Sequence, residues 1–269
     1  MSQLKTLQIE TRGQIDIVTM NRPEVLNVVN PLMADELRNY FASMVERFDK
    51  RVIVLRGSGR GFCAGGDVGS EAFASPGSGR AQRQMQVQLN YSGIVRMMRK
   101  CPQPIIGLIQ GYAFGAGFSL ALACDVRYAG PNAKFNAAYI RMGLGGCDMA
   151  RAGYLLPRLV GLSVASEFLL TGRFIDAQRA KSIELVSDIV SDDKLLDTGL
   201  ELVDDMMRGS PMGLRMTKES LSLEIDAPSL AAALTLEDRQ QTMLMEMADF
   251  REAVAAFKDN ERAPRYEDR

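Results

Sequence analysis

Hydrophobic and polar residues alternate in two short runs near the start of the chain. The segments 4–10 (LKTLQIE) and 14–20 (QIDIVTM) have the period-two pattern of half-buried strands, and Gly13 lies between them. We therefore expect a β-hairpin here. The segment 31–49 carries apolar residues at helical spacing and begins with Pro31, a residue favoured in the first turn of a helix.

Two continuously apolar runs follow, at 51–57 (RVIVLRG) and at 104–110 (PIIGLIQ). Runs of this length are typical of strands that are buried in a parallel sheet. A glycine-rich segment and then a helical pattern come after each run. Repeated strand–turn–helix units predict parallel strands joined by right-handed crossovers, and thus an α/β fold.

The uncharged run 101–124 is also long enough to cross a membrane, which takes about 20 residues in a helix. Pro102 and Pro104 lie at its start, Gln110 lies near its centre, and only its second half has helix-favouring residues. A strand, a glycine turn and a buried helix fit this composition better. We expect no membrane partner.

The C-terminal third shows little strand pattern and has a long amphipathic stretch at 229–257. Its apolar positions exceed what one helix can bury alone, which predicts assembly through this region. These positions are Leu234, Met243, Leu244, Met247, Phe250, Val254 and Phe257. We expect an α/β core at 1–200 and, at 201–269, a helical region that covers the site and assembles the oligomer.

Composition and charge narrow the classes of partner. The chain has 269 residues, of which 46% are hydrophobic and 24% charged, as in an ordinary globular protein. With 32 basic and 33 acidic residues it lacks the excess positive charge that neutralises phosphates, so we expect no nucleic-acid partner. The N-terminus has no signal-peptide pattern, and the four cysteines form no CxxC pair. These features predict buried free thiols, no metal site and a cytoplasmic location.

The sequence contains no histidine. This absence removes Ser-His-Asp triads and the commonest general base of enzymes. Any proton transfer must therefore use carboxylates, tyrosine, lysine, cysteine or water.

Both buried strands are followed by turns of small residues, CAGGD at 63–67 and FGAGF at 114–118. The second turn leads directly into a helix, so the N–H groups near Ala116 and Gly117 have no intrahelical acceptor and lie at the positive end of the helix dipole. If the turns face each other, two N–H donors converge on one oxygen and form an oxyanion hole. Alternatively, the glycines only permit close packing of strand and helix. Neither a dinucleotide fingerprint nor a phosphate-binding GK[ST] motif is present.

Five segments of the chain, in this order, together resemble the crotonase superfamily, the enoyl-CoA hydratase/isomerase family. They are NRPEVLNVVN, VIVLRGSGRGFCAGGDV, PIIGLIQGYAFGAGFSLALACDVRYAGPNAKF, LLPRLVG and TGRFIDAQRAKSIELVSDIV, within about residues 5 to 190. The resemblance implies a crotonase-like spiral of repeated ββα units with a C-terminal helical trimerisation region, and hence a homotrimer or a dimer of trimers. It also implies acyl-CoA thioester substrates in fatty acid metabolism, with no cofactor beyond the coenzyme A of the substrate.

The resemblance also implies roles for individual residues. It assigns the N–H groups of Ala64 and Ala116 to an oxyanion hole that binds the thioester oxygen and stabilises an enolate. It places seven residues in contact with coenzyme A: Val25, Leu26, Val28, Ala64, Gly66, Asp67 and Val68.

The chain departs from the family pattern at the two glutamates with which enoyl-CoA hydratases activate water. The corresponding positions are Ser119 and Tyr139, and neither is a carboxylate, so we expect poor hydratase activity. Both residues stay candidate catalytic residues, Tyr139 as a poor base but a usable hydrogen-bond donor. Asp148 is a candidate replacement acid/base, and its alternative role is to cap the helix that follows it. Glu71 is a further carboxylate, and its alternative is a solvated loop residue.

These observations favour an acyl-CoA enzyme of the lyase or isomerase type that stabilises a thioester enolate and uses atypical acid/base residues. A C–C bond hydrolase or a thioesterase on the same scaffold is an alternative. A second alternative is a crotonase-fold protein that binds acyl-CoA, or an RNA, without turnover.

Overall fold

The computed structural model describes residues 4–69, 79–137, 139–145, 152–259 and 262–266. The strands within these ranges are β1 (Leu7–Arg12), β2 (Ile15–Met20), β3 (Val52–Gly57), β4 (Ile105–Ile109), β5 (Tyr112–Phe114), β6 (Val126–Ala129), β7 (Lys134–Asn136), β8 (Ile175–Asp176) and β9 (Asp188–Ile189). They form a six-stranded sheet in the order β1-β2-β3-β4-β6-β9 and a three-stranded sheet in the order β5-β7-β8.

Helices surround the two sheets and make up the C-terminal part of the chain. They are α1 (Pro31–Ser43), α2 (Arg80–Lys100), α3 (Ala116–Ala123), α4 (Ala152–Val160), α5 (Leu162–Thr171), α6 (Ala177–Ser182), α7 (Leu195–Met207), α8 (Pro211–Glu224), α9 (Leu230–Glu246) and α10 (Ala248–Lys258). The helix predicted at 31–49 ends earlier, at Ser43, and a short 3-10 turn follows it at Met44–Glu46. Its start is fixed by Asn30, whose side chain accepts a hydrogen bond from the Met33 N–H.

The predicted hairpin is present, but its turn is shorter than the segment 11–13 that separates the two predicted strands. Strands β1 and β2 pair antiparallel as far as Arg12 opposite Ile15. Only Gly13 and Gln14 therefore remain in the turn, and Gly13 has a φ of +57°, a conformation that glycine adopts without strain. The other neighbouring strands of the large sheet are parallel, as the buried apolar runs predicted.

The turns of the spiral that begin with β4 and β6 combine a strand of the large sheet, a short strand of the second sheet and a helix. In the clearest turn, β4 leads to β5 and then to the buried helix α3. Sequence reasoning missed β5, because three residues are too few to show a period, although Ala113 is buried between two half-buried neighbours. The predicted α/β spiral of ββα units is confirmed, and the run 101–124 contains two strands before its helix. No helix of the described residues is long and apolar enough to span a membrane.

The large sheet is covered on both faces. Most of the core lies on the face of α1 and α2, and a smaller cluster that includes Ile17, Val54, Ile106 and Val203 lies under α7. Residue 200, the predicted boundary between the core and the helical region, falls inside α7. The division at this position stays a prediction.

The C-terminal helices leave large apolar side chains exposed. The amphipathic stretch predicted at 229–257 is two helices, α9 and α10, which are separated by Met247 in an extended conformation. Among the positions predicted to be in excess, Met243 is 60% exposed and Phe257 is 73% exposed. Two helices that faced only solvent would not need so many exposed apolar side chains.

Candidate active site

The two glycine turns face each other. Cys63 forms a parallel bridge with Ala113, and its carbonyl oxygen accepts a hydrogen bond of 3.0 Å from the Phe114 N–H. A Cβ atom on Gly115 would lie 3.7 Å from the Cα of Gly65, and a Cβ on Gly117 would lie only 2.7 Å from the Cβ of Cys63. The turns therefore face each other, and they pack too closely for a larger residue at Gly117.

The Ala116 N–H points out of the first turn of a fully buried helix. Ala116 is the first residue of α3, and Gly115 precedes it with φ +49° and ψ −117° and provides no side-chain cap. The N–H groups of Ala116 and Gly117 meet no hydrogen-bond acceptor within the described ranges. A buried N–H at the positive end of a helix dipole favours a negatively charged oxygen. The structure thus leaves the predicted Ala116 donor available.

The predicted Ala64 donor is differently placed. Its N–H donates a hydrogen bond of 3.0 Å to the carbonyl oxygen of Leu26. An oxygen that binds at the Ala64 N–H therefore has to compete with the Leu26 carbonyl, and the role of Ala64 stays a prediction. Sequence reasoning could not show this contact, since the two residues lie far apart in the chain.

The residues predicted to contact coenzyme A lie together beside the first glycine turn. The Val29 N–H donates to the Gly65 carbonyl at 2.8 Å, and the Asp67 N–H donates to the Val29 carbonyl at 2.9 Å. These bonds hold the segment of Val25, Leu26 and Val28 against that of Gly66, Asp67 and Val68. In this group Val25 is 40% exposed and Val68 is 54% exposed, so a ligand can reach them.

Asn27 fixes this arrangement, and sequence reasoning missed it. Its side-chain amide donates to the carbonyl oxygens of Ser58 and Gly61, each at 2.8 Å, and its side-chain oxygen accepts from the Arg22 N–H at 2.9 Å. Asn27 and Leu26 both adopt left-handed backbone conformations, with φ of 56° and 54°. Asparagine tolerates this conformation better than most residues, which is the signal that the sequence offered.

Ser119 and Tyr139, the residues at the two glutamate positions, form a buried hydrogen-bonded pair. The Ser119 Oγ lies 2.6 Å from the Tyr139 hydroxyl, and that hydroxyl donates to the Gly115 carbonyl oxygen at 2.7 Å. Ser119 is fully buried, and only 3% of Tyr139 is exposed. The structure therefore brings the predicted pair together as hydrogen-bonding groups without a carboxylate.

Asp148 and Glu71 lie outside the described residues, as does Cys147. The other three cysteines are buried free thiols, as predicted. Burial raises the pKa of the Cys63 thiol to about 12, which keeps this neighbour of the site protonated. Within the described ranges no group of three or more cysteine, aspartate or glutamate side chains could hold a metal ion.

A spiral of ββα units that converges two glycine turns on a buried helix N-terminus defines a crotonase-fold protein. A family model described as enoyl-CoA hydratase/isomerase matches residues 10–269. A Mycobacterium tuberculosis protein named as a probable enoyl-CoA hydratase is 37% identical over 265 residues, which are 96% of this chain and 90% of that protein. The 1,2-epoxyphenylacetyl-CoA isomerase of Escherichia coli is 34% identical over 241 residues, which are 89% of this chain and 90% of the isomerase. The crystal structure of an enoyl-CoA hydratase from Bacillus anthracis is similar with a TM-score of 0.91 at 28% identity, over 98% of this chain and 100% of that one.

The chain therefore belongs to the enoyl-CoA hydratase/isomerase family. The expectation of an acyl-CoA enzyme of the lyase or isomerase type is confirmed at this level. Its relatives are named both as hydratases and as isomerases, so the particular reaction has to be argued from the site.

Proposed function

We propose that the chain binds an acyl-CoA thioester and stabilises its enolate without the paired glutamates of a hydratase. The observation that carries this proposal is the neutral pair of Ser119 and Tyr139 beside the available Ala116 N–H. A thioester enolate needs hydrogen-bond donors at its oxygen. The Ala116 N–H, which meets no acceptor within the described ranges, supports such a role. Hydration also needs a carboxylate pair to activate water, and neither of these two positions supplies one.

The proposed oxyanion hole consists of the Ala116 and Ala64 N–H groups. Removing one such donor typically slows turnover by about 100- to 1000-fold. Ala116→Pro removes the donor at the helix position where proline is tolerated best, and Ala116→Gly is the matched control that retains the N–H. We expect the proline variant to lose turnover and acyl-CoA binding while it still binds free coenzyme A. Full activity of the proline variant would contradict the hole.

The acid/base is proposed to be Asp148. The reasoning is by elimination, because histidine is absent and the two glutamate positions hold Ser119 and Tyr139. Asp148→Asn keeps a helix-capping oxygen but removes the base. We expect turnover to fall by about 100-fold or more with the melting temperature unchanged. Turnover close to wild type would leave Asp148 as a helix cap and would direct attention to Glu71 or to bound water.

The coenzyme A moiety is proposed to lie along the segments of Val25, Leu26, Val28, Gly66, Asp67 and Val68, with Ala64 at the thioester end. We further propose a homotrimer or a dimer of trimers assembled through the exposed apolar side chains of α9 and α10. Light scattering at micromolar concentration tests the assembly, and a monomer would contradict it. A cytoplasmic location and a place in fatty acid metabolism are part of the same proposal.

Isomerisation is the reaction that this site favours. A 3-enoyl-CoA needs only transfer of a proton through an enolate, which the proposed oxyanion hole would stabilise without activation of water. We expect conversion of 3-hexenoyl-CoA to the conjugated 2-hexenoyl-CoA, followed by its ultraviolet absorbance. Crotonyl-CoA should be hydrated more slowly than about 10 per second, a typical turnover number for enzymes. Hydration at or above that rate would show that the missing glutamates are replaced.

The remaining alternatives, a thioesterase, a C–C bond hydrolase and a protein that binds without turnover, predict different readouts. A thioesterase releases free thiol, and a C–C bond hydrolase cleaves a β-diketone acyl chain without releasing it from coenzyme A. The neutral Ser119–Tyr139 pair also favours a protein that binds acyl-CoA without turnover. For that protein, calorimetry shows acyl-CoA binding, but in D₂O no α-proton of the bound acyl group exchanges.

A further inference from the structure

The Ala116 N–H belongs to the peptide group whose carbonyl oxygen is that of Gly115. A peptide group is planar, and its C=O and N–H point in opposite directions. The Gly115 carbonyl oxygen accepts the Tyr139 hydroxyl at 2.7 Å and the Ser119 N–H at 3.0 Å. Whatever orients this carbonyl therefore also orients the Ala116 N–H on the opposite side.

The direction of the hydrogen bonds follows from the carbonyl. A carbonyl oxygen can only accept, so Tyr139 donates its single hydroxyl proton to Gly115. The contact of 2.6 Å between Ser119 and Tyr139 must then use the Ser119 proton. The chain of donors runs from Ser119 to Tyr139 to the Gly115 carbonyl and ends at the Ala116 N–H. Bonds in such a chain polarise one another, which strengthens the last donor.

We propose that Tyr139 is a positioning residue of the oxyanion hole, which holds and polarises the Gly115–Ala116 peptide so that its N–H binds the thioester oxygen. This inference rests on the proposed function of that hole. Gly115 has φ +49° and ψ −117°, a conformation that side chains rarely permit. Because glycine is flexible, the backbone preferences of Gly115 alone do not fix the peptide plane. The bond from Tyr139 adds to the constraint that the Ser119 N–H places on the Gly115 carbonyl, and it is the shorter of the two bonds.

The bond also explains why a hydroxyl suits this position in the absence of hydratase chemistry. An ionised carboxylate only accepts hydrogen bonds and could not donate to the Gly115 carbonyl. A glutamate here could transfer a proton, but in its ionised form the glutamate could not donate a hydrogen bond that holds this peptide. Tyr139 thus serves the electrostatic part of the site, and proton transfer is left to another group.

The test uses acetoacetyl-CoA as the probe, because its enolate absorbs in the ultraviolet and its pKa when bound reports directly on charge stabilisation at the thioester oxygen. We expect the wild-type protein to lower the apparent pKa of the bound probe below that of the free probe. Tyr139→Phe should raise this pKa by about 0.5 to 1 unit, a three- to tenfold loss of enolate at fixed pH, since one net hydrogen bond is of this size. Affinity for free coenzyme A should stay within about twofold, because one weakened peptide donor does not contact the nucleotide.

Two further variants separate positioning from folding. Replacement of Tyr139 by 3-fluorotyrosine makes the hydroxyl a stronger donor, so the pKa of the bound probe should move in the opposite direction from that in Tyr139→Phe. Tyr40→Phe is the matched control, because Tyr40 is a buried tyrosine that donates to Asp16 at 3.0 Å. It should lower thermal stability without moving the pKa of the probe.

The outcomes distinguish the two proposals. If the wild-type protein does not lower the pKa of the bound probe, the oxyanion hole itself is wrong. If the wild-type protein lowers it and both Tyr139 replacements leave it unchanged, the hole stands and the positioning role is overturned. If Tyr139→Phe does not fold, the 3-fluorotyrosine protein decides alone, and an unchanged or raised pKa of the probe overturns the inference.

Discussion

Gly117→Ala tests whether the facing glycine turns depend on close contact. A Cβ at this position would lie 2.7 Å from the Cβ of Cys63 and nearer still to the Cys63 carbonyl oxygen. Ordinary contact begins at 3.4 Å, so α3 and the first turn must separate by at least about 0.7 Å to relieve the contact with the Cys63 Cβ, and by more to relieve the contact with the carbonyl oxygen. Because Cys63 is fully buried and its contact with the added Cβ is largely backbone, the neighbours cannot yield by a rotamer change alone.

The expected cost has a structural part and a catalytic part. Overpacking of this kind typically destabilises a protein by about 1–3 kcal/mol, which lowers the melting temperature of a chain of this size by roughly 2–10 °C. A displacement of about 1 Å in a catalytic constellation costs about 100-fold in rate, so a loss of roughly 10- to 100-fold is expected here. Both effects have the same origin, the separation of the two turns.

Gly61→Ala is the matched control, since the nearest atom to its added Cβ is 3.6 Å away, in ordinary contact. Differential scanning calorimetry and 3-hexenoyl-CoA turnover should be measured on both variants. A Gly117→Ala protein with the melting temperature and turnover of the wild type would refute the close approach of the turns. Equal losses in both variants would show that the effect belongs to alanine in these loops and not to the contact with Cys63.

Three other outcomes follow from the structure. Lys218→Met should destabilise by about 1–3 kcal/mol, measured by denaturant unfolding, because the buried Gln103 carbonyl loses its donor at 2.7 Å while Asp125 keeps Arg99 at 2.9 Å; an unchanged midpoint would contradict this. Burial raises the pKa of Glu36, but hydrogen bonds from the Thr6 hydroxyl and from backbone N–H groups outweigh it and lower the pKa below 4.5. Glu36 therefore adds stability above pH 4.5 that is lost as the pH falls through the folded pKa, and Glu36→Gln should flatten the stability profile there. Phe257→Ser should shift light scattering toward smaller species, and an unchanged mass would place the interface elsewhere.

Local sequence pattern predicted the main sheet and the two glycine turns. That the turns face each other was only a condition of the prediction, because Cys63 and Ala113 lie far apart in the chain. Runs of buried β-branched residues specify β3 and β4, and glycines at 65 and 115 mark where each chain segment reverses. Strand β5 could not be predicted, since three residues define no period. The bond between Tyr139 and the Gly115 carbonyl and the bond between Ala64 and the Leu26 carbonyl join distant segments, and only the folded chain shows them.

The Asn27 network shows a further limit of sequence reasoning. A buried amide with these three partners has to be seen in three dimensions, because two backbone carbonyl groups and one backbone N–H carry no residue identity. The composition shows that histidine is absent, which limits the candidate acid/base groups to other residue types. It gave no sign that a tyrosine would bond to the backbone of the site.

In the oxyanion hole that we propose, the Leu26 carbonyl would compete with the substrate oxygen for the Ala64 N–H. The Leu26 amide carbonyl is a stronger hydrogen-bond acceptor than a thioester carbonyl, because nitrogen donates more electron density to the oxygen than sulfur does. The exchange of one for the other at the Ala64 N–H therefore gains nothing in the ground state. An enolate oxygen carries charge, and charge-assisted hydrogen bonds are about twice as strong as neutral ones. Displacement of Leu26 therefore becomes favourable as the α-proton leaves, and the binding energy of this donor is released in the transition state more than in the complex with substrate. The Leu26 carbonyl would in this way keep the Ala64 N–H occupied in the complex with the neutral thioester and yield it only to the charged enolate oxygen.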